Sequence, residues 1–285
     1  MKVLTNLART SVVGFLTTAM VLSLAACLQA QQGVQPTIVK AKVQAIKGTV
    51  YFTPPGATAR KPLKVGTLLA PGTLLETMPN STVDVYFGPM AGMVRMQEKT
   101  KFAVDKYSFT KTGADDVIDL NLKLDEGTIL GTVNKLSAAS KYTIKTPDGV
   151  AGVRGTQYTL TVKRDANGVL KSIMVVSEGT VVIIKPTASV PGAVPGTVGT
   201  STTVQTPDGM TTFTVTGGGV VQDDGSMAVL TPVEAAAALA NIAPLTDILN
   251  TIIATIPGLP TTVTPPPTPP PAAPSDTFVP PNPSP

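Results

Sequence analysis

Apolar and polar residues alternate with a period of two through much of the chain. From Val117 to Leu124, every second residue is Ile or Leu, and most of the residues between them are polar. Val83, Val85 and Phe87 alternate in the same way with polar neighbours. A strand with one polar face is half buried, so the pattern predicts a sheet with one solvent-exposed side.

A glycine, a threonine and an aliphatic residue recur as a unit. Glycine adopts the positive φ of a tight turn, and the β-branched threonine favours the start of a strand. The spacing is too irregular for a strict solenoid, although stacked strand–turn units would explain the recurrence. From Ile38 to about Lys185 we therefore expect strands of about five to eight residues. The glycines are Gly48, Gly66, Gly72, Gly127, Gly131 and Gly179.

Composition narrows both the core and the chemistry. Trp and His are absent and aromatic residues make up 4%, so the core must consist mainly of Val, Ile and Leu, which favours an all-β fold. Without histidine, a Ser-His-Asp site, a Cys-His site and imidazole metal ligands are excluded. Asp115, Asp116 and Asp119 could suggest calcium, but they lack ordered ligand spacing, and Asp is common in turns. We expect no enzyme, no metal and no cofactor.

One segment carries a specific motif. Residues 142–160 read YTIKTPDGVAGVRGTQYTL, and residues 175–182 read VVSEGTVV. This order resembles the FecR domain, in which a block TP-x-x-VA-x-VRGT-x-[FY] precedes V-x-EG-x-V. The run from Leu63 to Val83 resembles the early half of that domain. The resemblance covers about residues 42–185 and implies a twisted sandwich or solenoid-like β domain.

The resemblance singles out residues that we expect to be structural. Arg154 lies between glycines, so its guanidinium is expected beneath a turn, held by backbone carbonyls or by Glu178. The alternative is that Arg154 contacts a ligand or a partner. The full structural motif comprises Thr146, Pro147, Gly149, Arg154, Gly155, Thr156, Glu178 and Gly179.

The N-terminal segment has the features of an export signal. Lys2 and Arg9 precede a run of 16 uncharged residues, shorter than the roughly 20 needed to span a bilayer. It ends in Leu-Ala-Ala before Cys27, which matches a lipobox. Residues 1–26 are therefore predicted to be a lipoprotein signal, and Cys27 the site of lipidation. The alternative is cleavage after Ala30, which would release a soluble periplasmic or secreted protein.

Beyond the β domain the composition changes. We expect a tether at 27–37, the β domain at 38–185, and a Gly/Thr/Pro-rich linker with a possible extra hairpin at 186–230. Residues 231–256 predict two short helices interrupted by Pro244, which cover an edge of the β domain or, alternatively, dock onto a partner. Residues 257–285 are proline-rich, and we expect them to be disordered.

Charge is unevenly distributed, which bears on the choice of partner. Residues 28–185 hold 20 basic and 12 acidic side chains, and no Lys or Arg follows Lys185. Such a domain could bind its own acidic extension, an anionic envelope polymer or lipid head groups. Nucleic acid is not expected as a partner of an exported chain, because it has no run of clustered Arg and few aromatic residues that could stack on bases.

These observations favour a non-enzymatic binding or structural module of the bacterial cell envelope. Its expected location is the periplasmic face of the outer membrane, with a lipid anchor and an envelope polymer or membrane protein as partner. The alternative is a periplasmic signalling component. It would lack the cytoplasmic sigma-binding region of FecR-type regulators, since only ten residues precede the uncharged run.

Overall fold

The computed structural model describes residues 35–112, 116–186, 202–205, 210–221, 227–229 and 232–254. The all-β prediction is confirmed, because the strands pair into one sheet that curls into a half-barrel. Pairing is antiparallel throughout except between β10 and β11. The strands are β1 (Thr37–Ile38), β2 (Ala41–Lys47), β3 (Val50–Thr53), β4 (Lys61–Pro62), β5 (Leu68–Leu69), β6 (Thr73–Thr77), β7 (Thr82–Tyr86), β8 (Met93–Met96), β9 (Lys101–Lys111), β10 (Asp116–Thr132), β11 (Lys141–Thr146), β12 (Gly149–Arg164), β13 (Leu170–Pro186), β14 (Thr202–Gln205), β15 (Met210–Thr216), β16 (Gly219–Val221) and β17 (Met227–Val229).

Strand β10 organises the sheet because it has two neighbours along both halves of its length. Its first half pairs with β9 and, in parallel, with β11. Its second half pairs with β8 and β12. On one side, β8 leads through β7 and β2 to β5, and β9 leads through β6 and β3 to β4. On the other side, β12 pairs with β13.

The core lies on the concave side of this sheet. Ile118, Leu120, Leu122 and Leu124 of β10 are at most 2% exposed, as their alternation predicts. A single cluster runs from Ala41 to Val221 and is dominated by Val, Leu and Ile. The absence of Trp is thus compensated by many medium-sized aliphatic side chains, which pack well on a pleated surface.

The segment after β13 extends the same sheet. β15 pairs with the second half of β13, from Thr180 to Pro186, and β14 pairs with β15. The hairpin that the sequence left open is therefore present and adds to the main sheet. β16 pairs with Met174–Val176 at the other end of β13.

Among the described residues, two helices accompany the sheet, and one differs from the expectation. Helix α1 (Gly88–Ala91) is a single turn between β7 and β8. Helix α2 (Pro232–Ala254) is continuous, so the expected break at Pro244 does not occur. Proline removes one backbone hydrogen bond and displaces the carbonyl four residues earlier. Pro244 is on the exposed side of α2, where that carbonyl can be hydrated, so the helix continues through it.

Several expectations concern residues outside the described ranges. The signal segment 1–26, Cys27, Gly113–Asp115 and the proline-rich segment 257–285 belong to this group. The linker is described only at β14–β17, and the first strand begins at Thr37, one residue before the expected boundary.

Candidate binding surface on β11, β12 and β13

The Arg-Gly-Thr motif is located where β12 changes neighbours. Residues Gly149–Gly152 pair with β11, whereas Gln157–Val162 pair with β10. Between them the register with β13 shifts, which marks a β-bulge. Gly155 has φ +64° at this bulge, and the Thr156 hydroxyl, buried at 2% exposure, donates a hydrogen bond to the Thr180 carbonyl. The motif therefore bends the strand.

Gly179 occupies the matching position on β13. Its φ is +86°, in the left-handed region. A Cβ atom there would lie 2.0 Å from the carbonyl oxygen of Gly155. Gly179 is thus required by the close approach of the two backbones, whereas Gly155 is required by its own positive φ at the bulge and by Lys135, whose Cα would lie 3.2 Å from an added Cβ.

The Thr-Pro-Asp-Gly segment forms the turn between β11 and β12 and is fastened to β13. Asp148 accepts hydrogen bonds from the Thr146 hydroxyl at 2.9 Å and from the Ser172 backbone N–H at 2.8 Å. Lys185 Nζ lies 3.2 Å from Asp148 Oδ2 and donates a 2.6 Å hydrogen bond to the Ser172 carbonyl. A Cβ atom on Gly149 would lie 2.5 Å from the Ile184 carbonyl oxygen, so the turn fits closely against β13.

This cluster shifts the pKa of Asp148. Burial alone would raise the pKa, but the hydrogen bonds from Ser172, the charge of Lys185 and the hydrogen bond from Thr146 together outweigh it. The pKa of Asp148 consequently lies below its usual range, and the buried ion pair stays charged at neutral pH.

Sequence reasoning missed Lys185 as a buried group, although a signal was available. Val181 and Ile183 point into the core, and Lys185 continues their alternation on β13. A lysine at an inward position of a strand needs an anionic partner, because a charge is seldom buried alone. Asp148, in the turn that precedes the neighbouring strand, is that partner.

The expectation for Arg154 is wrong. Its side chain is exposed, and it makes none of the ion pairs found among the described residues. Glu178, its expected partner, instead accepts a 3.0 Å hydrogen bond from the Gln157 side chain. The reason is register: in β12 the buried positions are Ala151, Val153 and Thr156, and Arg154 falls on the opposite face. Pro147 is likewise exposed, in the β11–β12 turn.

Arg154 belongs to an uncovered part of the convex side of the sheet. Val150 pairs with Ile184, Gly152 with Val182, and Arg154 with Thr180 across β12 and β13. Val150, Val182 and Ile184 are 37%, 37% and 38% exposed, respectively. We call this surface the β11–β13 face. It consists of Lys141, Thr143, Lys145, Val150, Gly152, Arg154, Thr180, Val182 and Ile184.

Helix α2 covers a different part of the convex side. Leu245 and Leu249 are fully buried against Met93 of β8, with Tyr86 and Ile252 beside them. The Thr246 hydroxyl lies 3.5 Å from that of Thr132, near the end of β10. The helix therefore packs on the sheet, as one sequence interpretation expected, although on its face rather than along an edge. It leaves the β11–β13 face exposed.

Buried tyrosines lie on the concave side. The hydroxyls of Tyr142 and Tyr158 are 3.3 Å apart, and the Tyr107 hydroxyl donates to the Phe87 carbonyl. Burial raises the pKa of all three phenols, to about 12 for Tyr107. They remain protonated at neutral pH and serve as polar packing groups.

The described residues contain neither a group of potential metal ligands nor a helix suited to a membrane. Within these ranges no three His, Cys, Asp or Glu residues are grouped so that they could hold a metal ion. None of the described helices has the length and hydrophobicity needed to cross a membrane.

Comparison with known proteins identifies the domain. Residues 73–182 match the family model described as FecR protein. The protein therefore contains a FecR domain, which runs from β6 into β13 and includes every residue of the structural motif. FecR domains are found in periplasmic signalling regulators of sigma-factor systems and are typically periplasmic or envelope-associated. Neither a curated protein nor a solved structure matches the chain.

The match begins later than the resemblance over residues 42–185 suggested. Strands β2–β5 precede it, yet they pair with β6 and β7 and share the same core. They are structurally part of the β domain, even though the family match starts at Thr73.

Proposed function

We propose that the protein is a non-enzymatic binding module of the bacterial cell envelope that uses the β11–β13 face to hold its partner. One observation carries this proposal. Three large aliphatic side chains are exposed together on this face, beside an arginine that makes no ion pair among the described residues. Groups of exposed apolar side chains rimmed by polar residues are characteristic of interaction sites.

The state of the nearby carboxylates supports a role without catalysis. Asp119 pairs with Lys106 at 2.5 Å, and Asp125 pairs with Lys123 at 2.7 Å. Asp148 is held by Lys185 with a lowered pKa. General acid catalysis by a carboxylic acid requires a raised pKa, whereas the pKa of Asp148 is lowered.

The N-terminal sequence supports attachment to a membrane. The Leu24-Ala25-Ala26-Cys27 segment after a short uncharged run fits a lipidated cysteine, and acyl chains anchor strongly because each buried methylene contributes about 0.8 kcal/mol. In this proposal the mature chain begins at Cys27 and the β domain faces the periplasm from the outer membrane.

A signalling role is the second candidate, and the FecR match favours it. FecR domains occur in regulators of sigma-factor systems. In that case the β11–β13 face would contact a membrane protein that relays the signal. A neighbouring gene for an extracytoplasmic sigma factor, together with loss of its induction in an Arg154→Glu strain, would support this role.

The test of the binding role uses the mature chain from residue 27 with Cys27→Ser. It is mixed with purified peptidoglycan sacculi and, separately, with envelope membrane vesicles, and the retained fraction is measured. We expect retention that Ile184→Glu abolishes. The matched control is Val169→Glu, since Val169 is 52% exposed in the β12–β13 turn, outside the face. Equal retention of the two variants, or retention on neither material, would contradict the proposal.

A further inference from the structure

We propose that the partner of the β11–β13 face is an anionic phospholipid surface, on which the domain lies with β12 and β13 against the head groups. This inference rests on the proposed function and specifies the partner of the same face.

Cations are grouped around the aliphatic side chains. Thr143 pairs with Gly152, and Lys145 pairs with Val150. Lys141 and Arg154 each lie two residues beyond the Thr143–Gly152 pair, which ends the β11–β12 ladder. Because side chains alternate between faces, both project from the same side of the sheet as that pair. The closest carboxylate to any of these three cations among the described ion pairs is Asp105, 4.0 Å from Lys145. The nine residues of the face therefore include three cations and no carboxylate, and Asp119, the register partner of Lys141 on β10, is itself paired with Lys106 at 2.5 Å.

A lipid surface matches both parts of this face. Lys and Arg extend aliphatic stems along apolar surface while their charged ends reach phosphates. Val150, Val182 and Ile184 can enter the boundary between head groups and acyl chains. A hydrated glycan would satisfy the cations, but it would leave the three aliphatic side chains without an apolar partner.

The length of the N-terminal segment permits this orientation. β1, the first described strand, pairs with β9, and β13 follows after β10, β11 and β12. Five strand spacings amount to about 24 Å. The ten residues from Cys27 to Thr37 reach about 33 Å when extended. An anchor at Cys27 can thus enter the same bilayer on which the face rests.

The expected effects follow from charge and depth. Each basic residue close to an anionic membrane strengthens binding by about fivefold, so reversing the charge at Arg154 should weaken it by at least about tenfold. Ile184→Glu should weaken vesicle binding by a similar factor, because the substitution removes an apolar contact and its carboxylate is repelled by the anionic surface.

Binding is measured by sedimentation of the Cys27→Ser mature chain with two kinds of vesicle. One kind contains phosphatidylglycerol and phosphatidylethanolamine, and the other contains phosphatidylcholine alone. We expect binding to the first kind, reduced by Arg154→Glu and by Ile184→Glu. Lys42→Glu serves as the matched control, because Lys42 is an exposed lysine on β2, outside the face. Equal binding to both vesicles, or an equal loss in the Lys42 variant, would overturn the inference.

Orientation is measured with a nitroxide, since Cys27 is the only cysteine in the chain. The label is placed at Val182→Cys or, as control, at Val169→Cys, in the Cys27→Ser background. With anionic vesicles, position 182 should gain accessibility to lipid-dissolved oxygen and position 169 should not. The same accessibility at both positions would overturn the inference.

Failure of this inference differs from failure of the proposed function. Retention on sacculi without binding to vesicles would overturn the lipid partner while the binding role stands. Retention on neither material would overturn both.

Discussion

The buried pair formed by Asp148 and Lys185 allows a quantitative test of how the FecR motif stabilises the domain. Their side chains are 16% and 7% exposed, and Asp148 also holds the backbone of Ser172. In Asp148→Ala the buried ammonium of Lys185 loses the carboxylate that lies 3.2 Å from it. Removing one partner of a buried ion pair costs about 3–5 kcal/mol of unfolding free energy. At roughly 2–4 °C per kcal/mol for a domain of this size, the melting temperature should fall by about 6–20 °C.

The assay is thermal and urea unfolding of the mature chain, followed by far-UV circular dichroism. Asp119→Ala is the matched control, because it also removes a carboxylate from an ion pair, but from one whose side chains are 52% and 30% exposed. The control should lose no more than about 1 kcal/mol. Arg154→Ala should change stability by less than about 0.5 kcal/mol, since the side chain is exposed.

A double variant separates the charge effect from simple loss of packing. Lys185→Met combined with Asp148→Ala removes both charges and keeps most of the buried aliphatic volume, so it should recover part of the lost stability. If Asp148→Ala is no less stable than Asp119→Ala, the pair does not fasten the turn to β13 and the reasoning is refuted.

Four further outcomes are expected. Gly179→Ala should prevent folding, because the added Cβ would lie 2.0 Å from the Gly155 carbonyl oxygen. Gly168 has a similar φ but open space around it, so Gly168→Ala should lower the free energy of unfolding by only about 1 kcal/mol. Soluble yield and circular dichroism of the two variants check this prediction. The pKa of Asp148 is lowered in the folded state, so its carboxylate contributes stability above about pH 4, and this contribution is lost as pH falls through the lowered pKa. The free energy of unfolding of the wild type should therefore fall more steeply with decreasing pH than that of Asp148→Asn. Parallel curves of stability against pH would contradict this prediction. Leu249→Ala should cost about 2–5 kcal/mol and speed amide exchange in α2 more than in β10, while uniform acceleration would show that helix and sheet unfold together. Metabolic labelling with palmitate should tag the wild type and not Cys27→Ser, and labelling of both would exclude lipidation at this residue.

Local alternation predicted the strands well, because a strand that buries one face has an apolar residue at every second position. Ile118 to Leu124 and Val83 to Phe87 were placed correctly for this reason. Partner choice was not predictable, since β10 pairs with four strands and one of them, β11, runs parallel to it. Register between strands depends on turns and bulges distributed over distant segments.

The error at Arg154 has a similar origin. Flanking glycines suggested close packing around the side chain, but Gly155 is needed for the backbone bulge and Gly152 lies on the exposed face. Arg154 precedes the bulge, and the alternation of buried Ala151 and Val153 already places it on the outward face; the bulge changes the face only of the residues that follow it. The exposed aliphatic residues on β13 were also missed, because Val182 and Ile184 read as core residues in a continuous Val/Ile run.

The central position of β10 has a consequence for the order in which the protein can fold. Its second half is completed only when β12 is available; β13 then pairs with β12, β15 with β13, and β14 with β15. Contacts therefore join residues far apart along the chain, which makes folding slow and delays it until most of the domain has emerged. A chain that folds late stays unfolded for longer, and only an unfolded chain can pass through a narrow membrane channel. The same topology that joins the folded domain into one sheet is thus expected to delay folding of the newly made chain.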